Sequence, residues 1–394
     1  MLRALAHSLA VRTYPLRLKI ALFFKRPDEY PGTRLTARRL ANVYLQRWET
    51  MRLKRRLRSR PGKLIIEATN VCNLSCPACF TGDGQVGRPR SHLSLDTYRR
   101  ILNEIGGTLL QIDFCNWGEP LLAKDLATMI ADASRRGIGT LVSTNFSVPF
   151  DAERAERLVA SGLGILGVSL DGARQETYEQ YRVGGDFETV IRNCRLVHEA
   201  KQRLGSSTPK MVWSFHVFPH NADDVDAARA MATGLGMEFC PEKAWVVGPE
   251  PALPGFDFHG GRVSPIPCLF LWHAAVVNND GGVSPCCGTF YREDDMGSVG
   301  AGGAARFGDV WNGPRFQAAR RLYTRRDPAG GARDLICYDC PTTVVWDRWT
   351  THEAAGGGRE TFESGYTLND AFNYFWNRRP EGWERTSRRR RRAS

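Results

Sequence analysis

The amino-acid sequence predicts an α/β protein built on a parallel β-sheet, and three features support this fold class. Short apolar runs typical of buried strands alternate along the chain with longer stretches of helical periodicity. Two expected helices have recognisable starts, one after Pro120 and one after Asn221, which acidic residues follow. The content of 42% hydrophobic and 24% charged residues is typical of a globular chain. Because each helix returns the chain to the same end of the sheet, the strands should be parallel.

The first strand is expected directly after the turn Pro61-Gly62, with the apolar run Leu64-Ile65-Ile66 at its centre. The strands are expected, in chain order, at 63–68, 109–115, 138–143, 163–169, 211–217 and 235–240. The helices are expected near 94–105, 123–136, 151–161, 186–203 and 222–234. From about residue 249, Pro and Gly become frequent and cysteines reappear, which indicates a separate loop-rich module.

These changes divide the chain into four parts. They are a basic helical arm, an α/β core, a cysteine-rich module, and a last helix with a basic disordered tail, at 1–60, 61–248, 249–353 and 354–394. The last helix should pack on the body through an aromatic run at 372–376.

Nearly all of the net charge belongs to the arm. Residues 1–60 hold sixteen Lys or Arg against three acidic residues, which gives +13, and the whole chain carries +12. Such a segment can be a solvated helix, or it can contact an anionic membrane surface, a phosphorylated substrate or nucleic acid. Apolar residues within 2–24 could form a face that lies on lipid or on the core. The second basic run, Arg388–Arg392, is expected to be solvated, and nucleic acid is disfavoured as a partner.

Eleven cysteines in a 394-residue chain without a visible signal peptide indicate reduced thiols rather than secreted disulfides. Charged residues interrupt every apolar run near the N-terminus, so no run approaches the about 20 residues of a membrane span. We therefore expect a cytoplasmic protein, or alternatively one attached to the membrane periphery. Its thiols are expected to bind metal.

Three cysteines on one loop form the most informative motif. Cys72, Cys76 and Cys79 follow the first expected strand, separated by three and then two residues. Three thiolates can hold a [4Fe–4S] cluster and leave its fourth iron open to a cofactor or substrate. The alternatives are unrelated buried thiols and a zinc site, which normally has four ligands in C-x-x-C pairs. The spacing disfavours zinc.

This C-x-x-x-C-x-x-C loop resembles the signature of the radical S-adenosylmethionine (radical SAM) superfamily. The resemblance implies a partial (β/α)6 barrel whose chemistry lies at the carboxyl ends of its strands. It implies a SAM-binding [4Fe–4S] cluster held by Cys72, Cys76 and Cys79, with S-adenosylmethionine on the open iron. It also implies that SAM is cleaved to a 5′-deoxyadenosyl radical, which takes a hydrogen atom from the substrate.

Polar residues at the ends of the second, third and fourth strands are candidate SAM contacts. Gly118-Glu119-Pro120 offers backbone carbonyls and a carboxylate to the amine of SAM, as the corresponding family motif does. The run Ser169-Leu170-Asp171-Gly172 can meet the SAM carboxylate or ribose, and Arg182 can form a charge-assisted pair with that carboxylate. Ala78 stands where the family carries an apolar residue against the adenine, a contact that Phe80 can replace. The cofactor-binding candidates are Phe80, Gly118, Glu119, Pro120, Ser143, Asn145, Ser169, Asp171 and Arg182.

Four later cysteines are spaced for a second metal site. Cys268, Cys286 and the clip Cys337-x-x-Cys340 supply four thiolates, enough for a closed [4Fe–4S] cluster or a structural zinc. The set resembles the SPASM/Twitch auxiliary-cluster domain in its short form, which implies one auxiliary [4Fe–4S] cluster. Cys287 could replace Cys286 as the ligand, although the spacing from Gly281 favours Cys286.

The shortened module resembles those of sugar and aminocyclitol dehydrogenases or epimerases, so the sequence favours a radical SAM oxidoreductase acting on a small molecule. An epimerase needs a hydrogen-atom donor, and Cys240 at the end of the sixth strand is the candidate catalytic residue. A dehydrogenase needs a base, for which His216, His220, Glu242 and Lys243 are available. The alternatives are a maturase that crosslinks a peptide, and a non-catalytic iron–sulfur electron carrier. The enzyme should also need an external electron donor such as flavodoxin or ferredoxin.

Overall fold

The computed structural model describes residues 30–244, 263, 265–300, 306–324, 332–355, 363–366, 373–375 and 377. The apolar stretch 2–24, the first part of the expected module (249–262) and the basic run 388–392 lie outside the described residues. Within the described residues, no helix is long and apolar enough to cross a bilayer.

A single open sheet organises the described residues, and its strands follow the order β6-β5-β4-β3-β2-β1-β7-β8-β9. The seven strands β1 to β7 pair in parallel with one another, whereas β8 pairs antiparallel with both β7 and β9. The sheet does not close into a ring, because β6 and β9 form its two edges. The strands are β1 Lys63–Ile66, β2 Gln111–Phe114, β3 Gly139–Thr144, β4 Ile165–Ser169, β5 Lys210–Val217, β6 Glu238–Lys243, β7 Ala274–Val277, β8 Gly282–Ser284 and β9 Gly297–Ser298.

Helices connect the parallel strands and cover the outer face of the sheet. They are α1 Ala37–Met51, α2 Leu95–Ile105, α3 Leu126–Arg135, α4 Ala152–Ala160, α5 Gln175–Tyr181, α6 Phe187–Arg203, α7 Val225–Gly234, α8 Phe270–His273, α9 Phe307–Trp311, α10 Pro314–Arg321 and α11 Pro341–Ala354. Short 3-10 turns lie at Pro120–Leu122, Ala222–Asp224 and Arg292–Asp294. Ser94 caps α2 and Asp186 caps α6, each accepting a backbone N–H of the first turn. The α/β prediction and all six expected strands are confirmed.

Two details differ from the expectation. Strand β6 begins at Glu238 rather than near residue 235, because α7 extends to Gly234 and Gly236 adopts a positive φ of 64° in the following turn. The C-terminal module is also joined to the core, since its strand β7 pairs in parallel with β1. The sequence of the apolar run Ala274–Val277 gives no indication that it pairs with β1, which lies much earlier in the chain.

The part of the basic arm that is described packs against the core. The buried guanidinium of Arg39 on α1 donates to the carbonyl oxygens of Gly106 and Arg136 at the turns that precede β2 and β3. Farther along, the buried Glu49 carboxylate accepts the N–H groups of Arg58 and Ser59. These bonds hold the segment after α1 against the body of the protein while its basic side chains stay exposed.

Candidate functional site

A cavity of about 750 Å³ opens where the parallel strands end. Because the carboxyl ends of parallel strands share one edge of a sheet, the loops that follow β1 to β4 and the last part of β5 all reach this cavity. It is bounded on the core side by the cysteine loop and on the module side by four further cysteines. Its lining includes Cys72, Cys76, Cys79, Phe80, Cys115, Trp117, Gly118, Glu119, Ser143, Asn145, Ser169, Arg182, His216, Cys268, Cys286, Cys287, Cys340 and Phe375.

The three loop cysteines face this shared cavity, and two of their sulfurs receive hydrogen bonds. Asn145 Nδ2 lies 3.8 Å from Cys72 Sγ, and Arg182 Nη1 lies 3.9 Å from Cys76 Sγ. Burial raises the pKa of the Cys72 thiol to about 12 and that of Cys79 to about 11, so a metal must displace their protons. The described residues contain no three His, Cys, Asp or Glu side chains that could hold a single metal ion. Three thiols that border one large cavity, two of which accept N–H hydrogen bonds at their sulfur atoms, fit a [4Fe–4S] cluster.

Gly118 and Glu119 lie beside the loop and are used structurally. A β-carbon on Gly118 would collide with the carbonyl oxygen of Thr69, so only glycine allows the two loops to meet. The Glu119 carboxylate accepts the hydroxyl of Thr144 at 2.6 Å and the N–H of Asn145 at 2.7 Å. Burial raises the pKa of Glu119, although these hydrogen bonds act in the opposite direction and lower it. Pro120 begins the 3-10 turn that follows. Glu119 thus joins the loop after β2 to the end of β3 and also lines the cavity.

Of the other predicted SAM contacts, Ser143 and Ser169 line the cavity from the ends of β3 and β4. Phe80 is 1% exposed and lies among the rings of Trp117, Phe290 and Tyr291, with a stacked centroid distance of 5.0 Å to Phe290. Phe80 therefore presents little surface to an adenine, although it borders the cavity.

Asp171 differs from the expectation, since it lies behind the cavity wall rather than among the residues that line it. Its fully buried carboxylate accepts Arg182 Nε at 2.6 Å and His216 N–H at 2.6 Å, and His216 Nδ1 lies 3.1 Å away. Burial raises the pKa of Asp171, but Arg182 and His216 outweigh it and lower the pKa to about 2. Asp171 thus orients two residues that do line the cavity.

The module brings its four predicted ligands together. Cys268, Cys286, Cys337 and Cys340 line a second, smaller cavity, together with Tyr323. Burial raises the pKa of Cys286 far above its usual value, and the neighbouring thiols of Cys287, Cys337, Cys340 and Cys268 raise it further. Cys287 lines the main cavity, on the side of Lys63 and Asp113, but is absent from the described residues that line the smaller cavity. The geometry favours Cys286 as the ligand, and the donor set fits an iron–sulfur cluster.

Cys240 is not brought to the site. It lies on the edge strand β6, where its thiol donates to Glu242 at 3.7 Å, and it is absent from the described residues that line the main cavity. Of the candidate bases, His216 lines the cavity, whereas the ring of His220 stacks on Phe218 and Glu242 is exposed.

Sequence reasoning missed two residues that shape the site. Glu67, at the end of β1, is buried and accepts the N–H groups of Trp117 and Asn279, which ties the core to the module. Trp117 lines the cavity, and its indole N–H donates to the carbonyl oxygen of Thr289 in the module. Trp117 was visible in the sequence beside Gly118, but its partner 172 residues further along the chain was not.

Two family models match the chain. The model described as the radical SAM superfamily matches residues 66–231, and the SPASM iron–sulfur cluster-binding domain matches residues 268–341. The first match runs from the last residue of β1 into α7 and includes the cysteine loop, and the second covers all four cysteines of the smaller cavity. Both domains imply iron–sulfur clusters, and the first implies bound SAM.

Parts of the chain are similar to several curated proteins. Fe-coproporphyrin III synthase of Methanosarcina barkeri is 30% identical over 138 residues, 35% of this chain and 34% of that protein. PqqA peptide cyclase of Rhodopseudomonas palustris is 32% identical over 126 residues, 32% of this chain and 32% of that protein. The matches thus span about a third of each relative's length.

The fold is similar to that of Streptococcus suis SuiB. SuiB bound to S-adenosylmethionine has 14% sequence identity and a TM-score of 0.54, and the match covers 84% of this chain and 83% of SuiB. SuiB bound to its precursor peptide SuiA gives a TM-score of 0.50 at the same identity, over 71% of this chain and 70% of SuiB. At such identity the likeness concerns the fold.

Proposed function

Because the chain belongs to the radical SAM superfamily and carries a SPASM iron–sulfur domain, we propose that it is a maturase that oxidises a peptide substrate. The main cavity supports this proposal most directly. Thiols from both cysteine sets border one space of about 750 Å³, so a substrate there would lie between two redox centres. The similarity to a PqqA peptide cyclase favours a peptide over the sugar-type substrate expected from the sequence.

In this proposal Cys72, Cys76 and Cys79 hold the SAM-binding cluster, and Cys268, Cys286, Cys337 and Cys340 hold the auxiliary cluster. When bound, the first cluster and SAM together supply a 5′-deoxyadenosyl radical that removes a hydrogen atom from the substrate. Arg182 and Asn145 donate N–H groups to the cysteine sulfurs and so stabilise the reduced, more negative state. The buried ring of Phe80 and the partly buried ring of Trp117 exclude water from the adjoining wall.

A substrate that has lost a hydrogen atom must lose one electron and one proton to complete a two-electron oxidation. In this proposal the auxiliary site accepts the electron, and His216 accepts the proton. Asp171 accepts the His216 Nδ1–H, which leaves Nε2 as the proton acceptor on the cavity side. Asp171 is thus a positioning residue, and His216 is the residue proposed to contact the substrate.

The first test is SAM cleavage by the anaerobically reconstituted chain with dithionite. We expect 5′-deoxyadenosine, measured by liquid chromatography and mass spectrometry, and no product from the variant with Cys72→Ala, Cys76→Ala and Cys79→Ala. Cys240→Ala is the matched control and should cleave SAM normally, because its thiol lies on an edge strand outside the cavity. An iron-loaded wild-type chain that bleaches with dithionite yet forms no 5′-deoxyadenosine would contradict the proposal.

The substrate class is tested with peptides encoded beside the gene and with a panel of sugars and aminocyclitols. A maturase should give a peptide lighter by two hydrogen atoms. His216→Gln should lose this product while it retains SAM cleavage, whereas His220→Gln should retain both. Conversion of a sugar, with every peptide left unchanged, would restore the dehydrogenase interpretation.

A further inference from the structure

The surface formed by α1 and the segment after it combines exposed rings with exposed cations. We call it the basic–aromatic face, defined by Tyr44, Trp48, Arg52, Lys54, Arg55 and Arg56. Both rings are 41% exposed, and the four basic residues are exposed as well. Lys54 Nζ lies 5.5 Å and Arg52 Cζ 6.0 Å from the centroid of the Trp48 ring. These cation–π contacts hold the charges in one place around an exposed indole.

The backbone beneath this face is fastened to the auxiliary module. The indole N–H of Trp272 donates to the carbonyl oxygen of Lys54 at 3.0 Å, and Arg320 Nη1 donates to that of Arg55 at 3.1 Å. Both Trp272 and Arg320 are fully buried. The side chains of Lys54 and Arg55 take no part in these bonds, so the surface charge can be changed without removing the attachment.

Trp272 also leads from this face to the second cysteine cavity. Its ring packs edge-to-face on the ring of Tyr323, with the centroids 5.5 Å apart. Tyr323 is fully buried and lines the cavity of Cys268, Cys286, Cys337 and Cys340. Two packed aromatic side chains therefore separate the backbone of the basic–aromatic face from the proposed auxiliary ligands.

We propose that an acidic electron-transfer protein docks on the basic–aromatic face and exchanges single electrons with the auxiliary site through Trp272 and Tyr323. This inference rests on the proposed function, which needs an outlet for the electron that the substrate loses. Charge favours an acidic occupant, since a second copy of a chain with a net charge of +12 would be repelled. A patch of charges around one or two rings suits the small, transient interfaces of redox proteins.

The basic residues of this face would also attract nucleic acid and anionic lipid. The buried ring pair that ends at the cysteine cavity favours a redox protein instead, because neither of these other occupants needs such a route. Each of them is an outcome of the test below.

The probe is a purified flavodoxin, mixed anaerobically with the reconstituted full-length chain. Each encounter oxidises the flavin hydroquinone by one electron and reduces an iron–sulfur cluster by one electron. We expect binding that weakens as ionic strength rises. The double variant Lys54→Glu with Arg55→Glu should bind flavodoxin about tenfold more weakly and be reduced about tenfold more slowly in stopped-flow absorbance. Dithionite should reduce it at the wild-type rate.

The matched control is Arg192→Glu with Arg195→Glu, which makes the same charge change at exposed positions of α6. It should behave as the wild type does towards flavodoxin. Equal effects of the two double variants would overturn the proposal, because net charge rather than a docking face would then govern the encounter. Binding to RNA or to phosphatidylserine vesicles that needs Lys54 and Arg55, with none to flavodoxin, would overturn it in favour of that occupant.

A chain with Cys72→Ala, Cys76→Ala and Cys79→Ala tests which site receives the electron. Flavodoxin hydroquinone should still bleach its remaining chromophore, and Trp272→Phe in the same background should slow the bleaching without changing the binding constant. Bleaching by dithionite but not by flavodoxin would refute the route through Trp272. A chain that lacks a chromophore altogether refutes the proposed function instead, so the two failures are distinguishable.

Discussion

The fully buried Asp171 carboxylate forms an ion pair with the partly buried Arg182, at 2.6 Å between Oδ2 and Nε. Arg182 reaches on to Cys76 Sγ, and the other carboxylate oxygen of Asp171 holds His216. One carboxylate thereby connects the cysteine loop with the proposed proton acceptor. Its contribution can be measured through stability and pH.

Asp171→Asn should lower the free energy of unfolding of the metal-free chain by about 3 kcal/mol at neutral pH, because Arg182 loses its buried partner. Burial is outweighed by Arg182, which lowers the pKa of Asp171 to about 2, below its unfolded value of about 3.9. The stabilisation is therefore complete above about pH 4 and is lost as the pH falls through about 2. Urea titrations across this range should show wild type and variant converging in acid. Asp151→Asn, an exposed helix cap, is the control, and a pH-independent gap would contradict the assignment.

Glu67 should make the protein less stable at higher pH. Burial raises its pKa to about 7, so the folded chain holds a proton that the unfolded chain has lost above about pH 4.5. Stability should fall as the pH rises from about 4.5 to about 7, and Glu67→Gln should remove this part of the pH dependence. Urea unfolding of the metal-free chain at about pH 4.5 and at about pH 7 measures this fall in stability. An equal fall in wild type and in Glu67→Gln would be evidence against this role of Glu67.

Gly118→Ala should destabilise the chain by about 3 kcal/mol or more, since the added carbon meets the backbone of the cysteine loop. Gly234→Ala is the matched control. Nothing lies within 4 Å of its added carbon, and a helical alanine should stabilise by about 0.5–1 kcal/mol. Thermal unfolding should move in opposite directions for the two variants, and equal midpoints would show that the loops do not meet as described.

Cys286→Ala and Cys287→Ala should differ in iron content. Because Cys286 lies among the other module thiols and Cys287 faces the main cavity, only the first should lose iron, from about eight to about four atoms per chain. Iron analysis after anaerobic reconstitution measures this. Loss on Cys287→Ala alone would assign the ligand to Cys287, and zinc in the four-cysteine site would show that the module is structural.

Asn145→Ala should make the midpoint potential of the SAM-binding cluster more negative, because an N–H donor to Cys72 Sγ stabilises the reduced state. A redox titration followed by electron paramagnetic resonance measures the shift. Asn193→Ala is the control and should leave the potential unchanged, because its amide N–H groups donate to the carbonyl oxygens of Phe146 and Val148 after β3 rather than to a cysteine sulfur. An unchanged potential in both variants would remove Asn145 from the tuning of the cluster.

The sequence alone determined the order of strands and helices and the two sets of cysteines. Local periodicity specifies each element, and the spacing of Cys72, Cys76 and Cys79 on one loop needs no tertiary contact to be recognised. The parallel sheet then gathers the strand ends at one edge, which is why Ser143, Ser169 and the cysteine loop line one cavity as expected.

The tertiary structure decided what depends on contacts between distant parts of the chain. It placed β7 beside β1, set Cys286 but not Cys287 among the other module thiols, and left Cys240 on an edge strand. It also drew Asp171 behind the wall, because Arg182 and His216 satisfy its carboxylate. A one-dimensional pattern records which groups are present, whereas burial and hydrogen-bond pairing fix the direction in which each group points.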